Sequence, residues 1–162
     1  MRATITKIGL VLVAFTLLTS FGGLKKEKHK EVKWLDWNKG YEKAQKKKKK
    51  VLLIDVYTDW CGWCKRMDAD TYSKSAVQKR IKRHFIPVKF NPEKKETYNL
   101  DGEEVSGKQI LNRLANGGGV GYPTTFFLCL ESNKIWKVSG YQTEEEFASL
   151  LDEVVDWAKQ DN

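Results

Sequence analysis

The stretch "VLLIDVYTDWCGWCK", residues 51–65, sets a dense apolar, β-branched run directly against two cysteines two residues apart. A run of this kind is too apolar for an edge strand and predicts a central strand covered on both faces. From Gly62 to Met67 and on to Ala69 the residues suit a helix, so the cysteines fall at a strand-to-helix junction. Two cysteines at this spacing can serve as a structural disulfide, as half of a metal site, or as a pair that opens and closes.

Working outward, "AVQKRIKRHF" places Val77, Ile81 and Phe85 on one helical face, with Ser73 or Ser75 as a cap, and "FIPVKF", residues 85–90, reads as a second strand. Strand, helix and parallel strand make a βαβ unit. Upstream, "WLDWNKGYEKAQKK" predicts a first helix in which Trp34, Trp37, Tyr41 and Ala44 recur at helical spacing. Downstream, Asp101 and Gly102 predict a hairpin turn, and "SGKQILNRLANGGG" a short helix ended by glycines. We treat residues 91–121 as an insertion. "TTFFLCL" and "KIWKVSG", joined by "ESNK", form an antiparallel pair. The last helix opens with the capping box Thr143 and Glu146 and aligns Phe147, Leu150, Leu151, Val154 and Trp157. The expected fold is α/β, a mixed sheet with helices on both faces, without internal repeats.

Before this domain, Arg2 and Lys7 precede the apolar stretch "IGLVLVAFTLL", residues 8–18, and the small-residue stretch "TSFGG". That pattern predicts a secretory signal over 1–22 with cleavage near Gly22, since about eleven apolar residues fall short of the roughly 20 that span a bilayer. An uncleaved N-terminal anchor is the alternative. Residues 23–33 read as a linker and 34–160 as one domain. Export places the chain where disulfides persist, periplasmic or otherwise extracytoplasmic. The formal charge of +8 falls to +6 without Arg2 and Lys7 and concentrates in "KKEKHK" and in Lys46 to Lys50. Such runs can attract nucleic acid or anionic lipid. The reading adopted is plainer: a tether, and cations complementing the carbonyl end of a helix, with no nucleic-acid partner and no stable membrane insertion after cleavage.

A thiol pair that switches needs one sulfur exposed, one within bonding reach, and a means of stabilising thiolate. Cys61 at the N-cap or first turn would face unpaired N–H groups and the positive end of the helix dipole. Cys64, one turn along, would face inward. Cys61 is therefore the candidate nucleophile and Cys64 the resolving thiol. Lys65 and Arg66 receive no catalytic role. Zinc wants four protein ligands, or three with an open position, whereas the chain offers Cys61, Cys64 and Cys129 with His29 and His84, so no metal site is expected. Cys129 reads as a small buried hydrophobe, His84 as a helix end, and "GGGVG" as a turn without the spacing of a phosphate cradle.

Taken together, "W..W...Y..A", "VLLIDVYTDWCGWCK", "FIPVKFN", "GYPTTFF" and "VSGY" resemble the thioredoxin superfamily, specifically exported thioredoxin-like proteins related to the C-terminal domain of thiol:disulfide interchange proteins. The resemblance covers about residues 34–158. It implies a thioredoxin-like fold and an exported thiol:disulfide oxidoreductase, monomeric, acting on protein thiols and disulfides with a redox partner protein. Its only redox group would be the Cys61–Cys64 disulfide, with no added cofactor. It implies that Asp55 takes the proton of the resolving thiol, that Lys89 faces this acid, and that Pro123 is cis and lies against the cysteines. Tyr122 would then offer backbone groups to a substrate strand, with Trp60, Gly62 and Trp63 as further substrate contacts. Trp63 stands where the family most often has proline, so its redox poise does not carry over. A thioredoxin-fold binding module with a purely structural disulfide, or a dedicated electron carrier to one partner, are the alternatives.

Overall fold

The computed structural model describes residues 31–47 and 50–160. The predicted signal over 1–22, nearly all of the linker and His29 lie outside the described residues, as do Lys48 and Lys49.

The apolar run folds as β1 (Val51–Val56), buried at every position. Side chains alternate across a strand, so Leu52, Ile54 and Val56 enter one core while Val51 and Leu53 enter another. The other strands of this sheet are β2 (Phe85–Phe90), β5 (Thr124–Cys129) and β6 (Lys134–Ser139), in the order β2-β1-β5-β6. β1 runs parallel to β2 and antiparallel to β5, and β6 is antiparallel to β5. The fold is the expected α/β mixed sheet with a helical layer on each face.

One layer is α1 (Trp37–Lys46) and α4 (Gly107–Leu114), whose Trp37, Tyr41, Ala44, Ile110 and Leu114 pack with Ile54, Val88, Phe90 and Phe126. α1 starts where the Asp36 carboxylate accepts from the Lys39 N–H at 2.9 Å. It lies so close to the sheet that a Cβ on Gly40 would sit 2.1 Å from Val88 Cγ2. Trp34 is not part of this helix. It precedes the cap and packs edge-on against Tyr72 at 4.9 Å in the opposite layer, because Leu35 is drawn alongside Val88 as a short parallel bridge.

The other layer is α3 (Ser75–His84) and α5 (Glu144–Lys159), which bury Val77, Ile81, Phe147, Leu150, Leu151 and Val154 against Phe85 and Phe127. Burying such a side chain contributes about 1.5–3 kcal/mol. The Thr143 and Glu146 capping box is present. Neither Ser73 nor Ser75 caps α3. Lys74 occupies the cap without a side-chain bond, and Ser73 Oγ donates instead to Ala69 O.

The insertion is part of the core. Its hairpin, β3 (Thr97–Leu100) and β4 (Glu103–Ser106), turns through Asp101 at φ 54° and Gly102 at φ 89°, the paired positive φ of the tight hairpin turns that asparagine, aspartate and glycine favour. Tyr98 and Val105 join Trp37 and Tyr41 in the first core. α4 begins against Pro92 so closely that a Cβ on Gly107 would meet Pro92 O at 2.7 Å.

Candidate active site: a disulfide between an aromatic rim and a charged floor

β1 ends, Tyr57 N–H donates to Phe90 O at 3.0 Å, and Cys61 N–H turns back to Thr58 O at 3.1 Å. This delivers Cys61 as the N-cap of α2 (Gly62–Met67). Cys61 and Cys64 form a disulfide. The Cys64 N–H donates to Cys61 Sγ at 3.0 Å, using one of the free N–H groups at a helix start. The expected split into an exposed and an enclosed sulfur is not met in this oxidised form: both cysteines are only 4% exposed. Each sulfur's partner is the other, and the N-cap bond turns Cys61 Sγ toward the helix.

Six residues before Cys61, on the strand that leads to it, a polar row crosses three strands. Asp55 on β1 is flanked in register by Lys89 on β2 and Thr125 on β5. Lys89 Nζ is 2.5 Å from Asp55 Oδ2 and also pairs with Asp68. Tyr72 OH donates to Asp55 Oδ1 at 3.2 Å and lies 3.2 Å from Thr125 Oγ1. The ammonium is further surrounded by the rings of Trp34, Tyr72 and Tyr57 at 5.0, 5.1 and 5.4 Å. Burial pushes the Asp55 carboxyl above its ordinary range, and Lys89 offsets part of that rise. Burial opposes the charge of Lys89, yet Asp55 and Asp68 together leave its pKa raised. Burial, then the Asp55 charge, holds the Tyr72 hydroxyl well above its usual value.

Asp68 and Tyr72 were not singled out in the sequence. They open and close a π-helical continuation of α2 over Asp68–Tyr72, where an α-helix to Ala69 was expected. The wider turn is closed by Ser73 N–H donating to Asp68 O at 3.2 Å. The available signal was spacing: 64, 68 and 72 recur every four residues, which sets Asp68 and Tyr72 on the face that Cys64 turns inward. A cleft of about 420 Å³ reaches this floor from the side, lined by Trp34, Asp68, Tyr72, Gln78 and Lys89 among others.

Around the disulfide stands an aromatic rim. Trp60 and Trp63 are 67% and 55% exposed. Trp60 meets Tyr122 edge-on at 5.6 Å and donates from Nε1 to Glu93 Oε2 at 2.9 Å. Trp63 lies 5.5 Å from the Tyr141 ring, with the Arg66 guanidinium 5.3 Å from the one and 5.7 Å from the other. Gly62, the first residue of α2, is exposed with open space around it. The Tyr122–Pro123 bond is cis and leads into β5, with Pro123 buried. Glu93, Arg66 and Tyr141 thus join the rim without having been predicted. Outside it, Cys129 is a buried free thiol that closes β5, and His84 ends α3. Among the described residues no group of three or more His, Cys, Asp or Glu could hold a metal ion.

Comparison with known proteins agrees with this geometry. Two thiol:disulfide interchange proteins DsbD from Haemophilus influenzae strains are 23% identical over 107 residues and 25% identical over 103, which is 65% and 62% of this chain. The chain spans only 16% of the length of these relatives. Among solved structures, a thioredoxin from Thermus thermophilus superposes with TM-score 0.61 at 17% identity, covering 80% of this chain and 92% of the other. A DsbH oxidoreductase does so with TM-score 0.58 at 15% identity, covering 78% and 86%. At such identities these two carry the fold alone. The sequence model of the thioredoxin-like domain matches residues 37–155, and the chain therefore belongs to the thioredoxin-like domain family.

Proposed function

We propose that the protein is an exported thiol:disulfide oxidoreductase acting on protein substrates. The observation that carries this reading is the bond from Cys64 N–H to Cys61 Sγ within the CGWC disulfide. After reduction the same N–H would meet a thiolate, a charge-assisted bond that favours the ionised sulfur and readies it as nucleophile.

In the reducing direction the Cys61 thiolate attacks one sulfur of a substrate disulfide, forming a mixed disulfide and releasing the other substrate sulfur as thiolate. Cys64 gives its proton to Asp55 and attacks Cys61 Sγ. The Cys61–Cys64 disulfide forms, the second substrate sulfur leaves, and two electrons have passed from the protein to the substrate. Reversed, the same steps oxidise a substrate dithiol. A buried carboxyl with a raised pKa is suited to accept that proton near neutral pH. Lys89 holds the carboxylate once it has lost the proton again. Trp60, Gly62, Trp63 and the backbone beside the Tyr122–Pro123 bond receive the substrate segment. No metal, nucleotide or flavin enters these steps; the electrons come from a partner protein. The monomer acts outside the cytoplasm, released from its leader or held by it; among the described residues no helix is long and apolar enough to cross a membrane.

Cys64→Ser tests this. The variant should accumulate protein partners bound to Cys61 through disulfides that reductant releases, while Cys61→Ser/Cys64→Ser traps none. No trapped species, together with no disulfide reductase activity of the unmodified protein, would assign the disulfide a structural role. The near enclosure of both sulfurs adds a second check: after reduction, Cys61 should alkylate at neutral pH well ahead of Cys64.

A further inference from the structure

Five of the lysines not used by this chemistry gather at the end of the sheet opposite the cysteines. β1 and β2 start there, about 17 Å of strand from the turn that carries Cys61. Lys33, Lys43, Lys47, Lys50 and Lys82 line one shallow cleft of about 190 Å³ with Phe85, Ile86 and Pro87, and no carboxylate lines it. Four of them, Lys33, Lys43, Lys47 and Lys82, are exposed and form no ion pair among the described residues. Lys50 Nζ donates to Arg83 O at 3.2 Å. Three acids on the adjoining helices are already engaged, Glu42 with Lys46, Asp152 with Arg80 and Asp156 with Lys159, while Glu31, two residues before Lys33, is exposed and lines the other cleft.

Cations complementing helix ends account for Lys43 and Lys82, which lie in the last turns of α1 and α3, and for Lys47 at the α1 cap. They do not account for Lys33, which precedes α1, or for Lys50, which precedes β1. The convergence of residues 33, 43, 47, 50 and 82 is thus a property of the fold, one that a lysine run read along the chain does not reveal. His84, at the end of α3, has its pKa held below the ordinary value by burial first, then by Arg83, Lys159 and Lys50, against a smaller opposing pull from Asp152; of these only Lys50 lines the cleft.

We propose that this lysine pole seats the protein on a bilayer surface bearing anionic phospholipid headgroups, with the disulfide on the side facing away. The chemistry of the cleft selects lipid over nucleic acid. Its only charged groups are lysines, compact point charges that suit a diffuse anionic surface; it has no arginine fork, and its one ring, Phe85, is buried and offers no face on which a base could stack.

The test compares binding of the full chain to phosphatidylcholine vesicles with and without phosphatidylglycerol, at low and high salt. The apolar leader contributes to both lipids alike, so the readout is the advantage conferred by phosphatidylglycerol. Replacing Lys33, Lys43, Lys47 and Lys82 by Gln should cut that advantage by about 100-fold or more. A charge-matched variant with Gln at Lys94, Lys95, Lys108 and Lys137 should keep most of it, and both variants should reduce a soluble disulfide substrate as the unmodified protein does. An equal loss in the two variants, or no advantage from phosphatidylglycerol, overturns the proposal. So does displacement from the vesicles by a DNA oligonucleotide at lower concentration than by soluble phosphatidylglycerol headgroup.

Discussion

The rim and the floor of the site share one short stretch of chain, from Asp55 to Trp63, and obey opposite rules. Trp60 and Trp63 stand mostly in water, whereas Asp55, five residues before the first of them, is 1% exposed. On the rim, ring contacts and the Trp60 to Glu93 bond form and break against solvent, so each contributes little to folding and can be exchanged for contact with a partner. On the floor every charge is answered by another group: Asp55 by Lys89 and Tyr72, Lys89 by Asp55 and Asp68. Substitutions should therefore separate cleanly, the floor governing stability and proton movement, the rim governing which proteins are engaged.

The largest effect should come from Lys89→Met. The side chain is close in length to lysine and keeps contact with the Trp34, Tyr57 and Tyr72 rings, but leaves Asp55 buried without its cation. Breaking a buried pair from one side costs about 3–5 kcal/mol, and here the cost should depend on pH. The remaining Asp55 carboxyl, already raised by burial, rises further; in mildly acidic solution it carries a proton and needs no partner. Urea unfolding across a pH series should show the deficit greatest in alkaline solution and smallest in acid. A deficit independent of pH would mean that Lys89 acts through its charge over the Trp34, Tyr57 and Tyr72 rings and not through Asp55, and the floor would then resemble the rim.

Asp55→Asn should act in the opposite sense. A carboxyl whose folded pKa lies above its unfolded value of about 3.8 binds its proton more readily in the native state. Its contribution to stability is complete below that unfolded value and is lost as pH rises through the folded one. Asparagine has no such loss, and Lys89 retains Asp68 and partial access to water. The variant should thus be more stable than the unmodified protein at neutral pH, by on the order of 1 kcal/mol, with the difference closing below about pH 4. Resolution of the mixed disulfide should slow at the same time, seen as longer-lived covalent partners in quenched reactions.

This separation also explains what could be read in advance. β1, the hairpin at Asp101 and Gly102, and the Thr143 box are specified by local chemistry: burial on both faces, two positive-φ residues, and a hydroxyl facing an N–H three residues on. Cys61 and Cys64 stood out by their spacing at a strand-to-helix junction, but that spacing left a structural disulfide, half a metal site and a switching pair open, and the resemblance of the longer motifs favoured the last. Trp34 was misplaced because a residue at helical spacing from Trp37 is indistinguishable in sequence from one just before the cap; only the bridge from Leu35 to Val88 decides it. Asp68 was missed because its partner is a cation on β2, 21 residues away, and its half-exposed side chain joins no apolar pattern; only its four-residue spacing from Cys64 pointed to it. Tyr141 and Glu93 come to the rim from separate loops, which no local pattern unites.

The smallest change in stability, and the sharpest test of the division, should come from Trp60→Ala. Its ring is two-thirds in water and its contacts with Tyr122 and Glu93 are solvent-facing, so unfolding should shift by no more than about 0.5 kcal/mol. Its loss should instead raise KM for a protein disulfide while leaving turnover of a small disulfide, which needs no rim, unchanged. The pH profile of the reaction should stay where the unmodified protein has it, because Trp60 touches neither Asp55 nor Lys89. A profile displaced in the direction that Asp55→Asn displaces it would show that the ring reaches the carboxyl through the intervening turn, and that rim and floor are one network and not two.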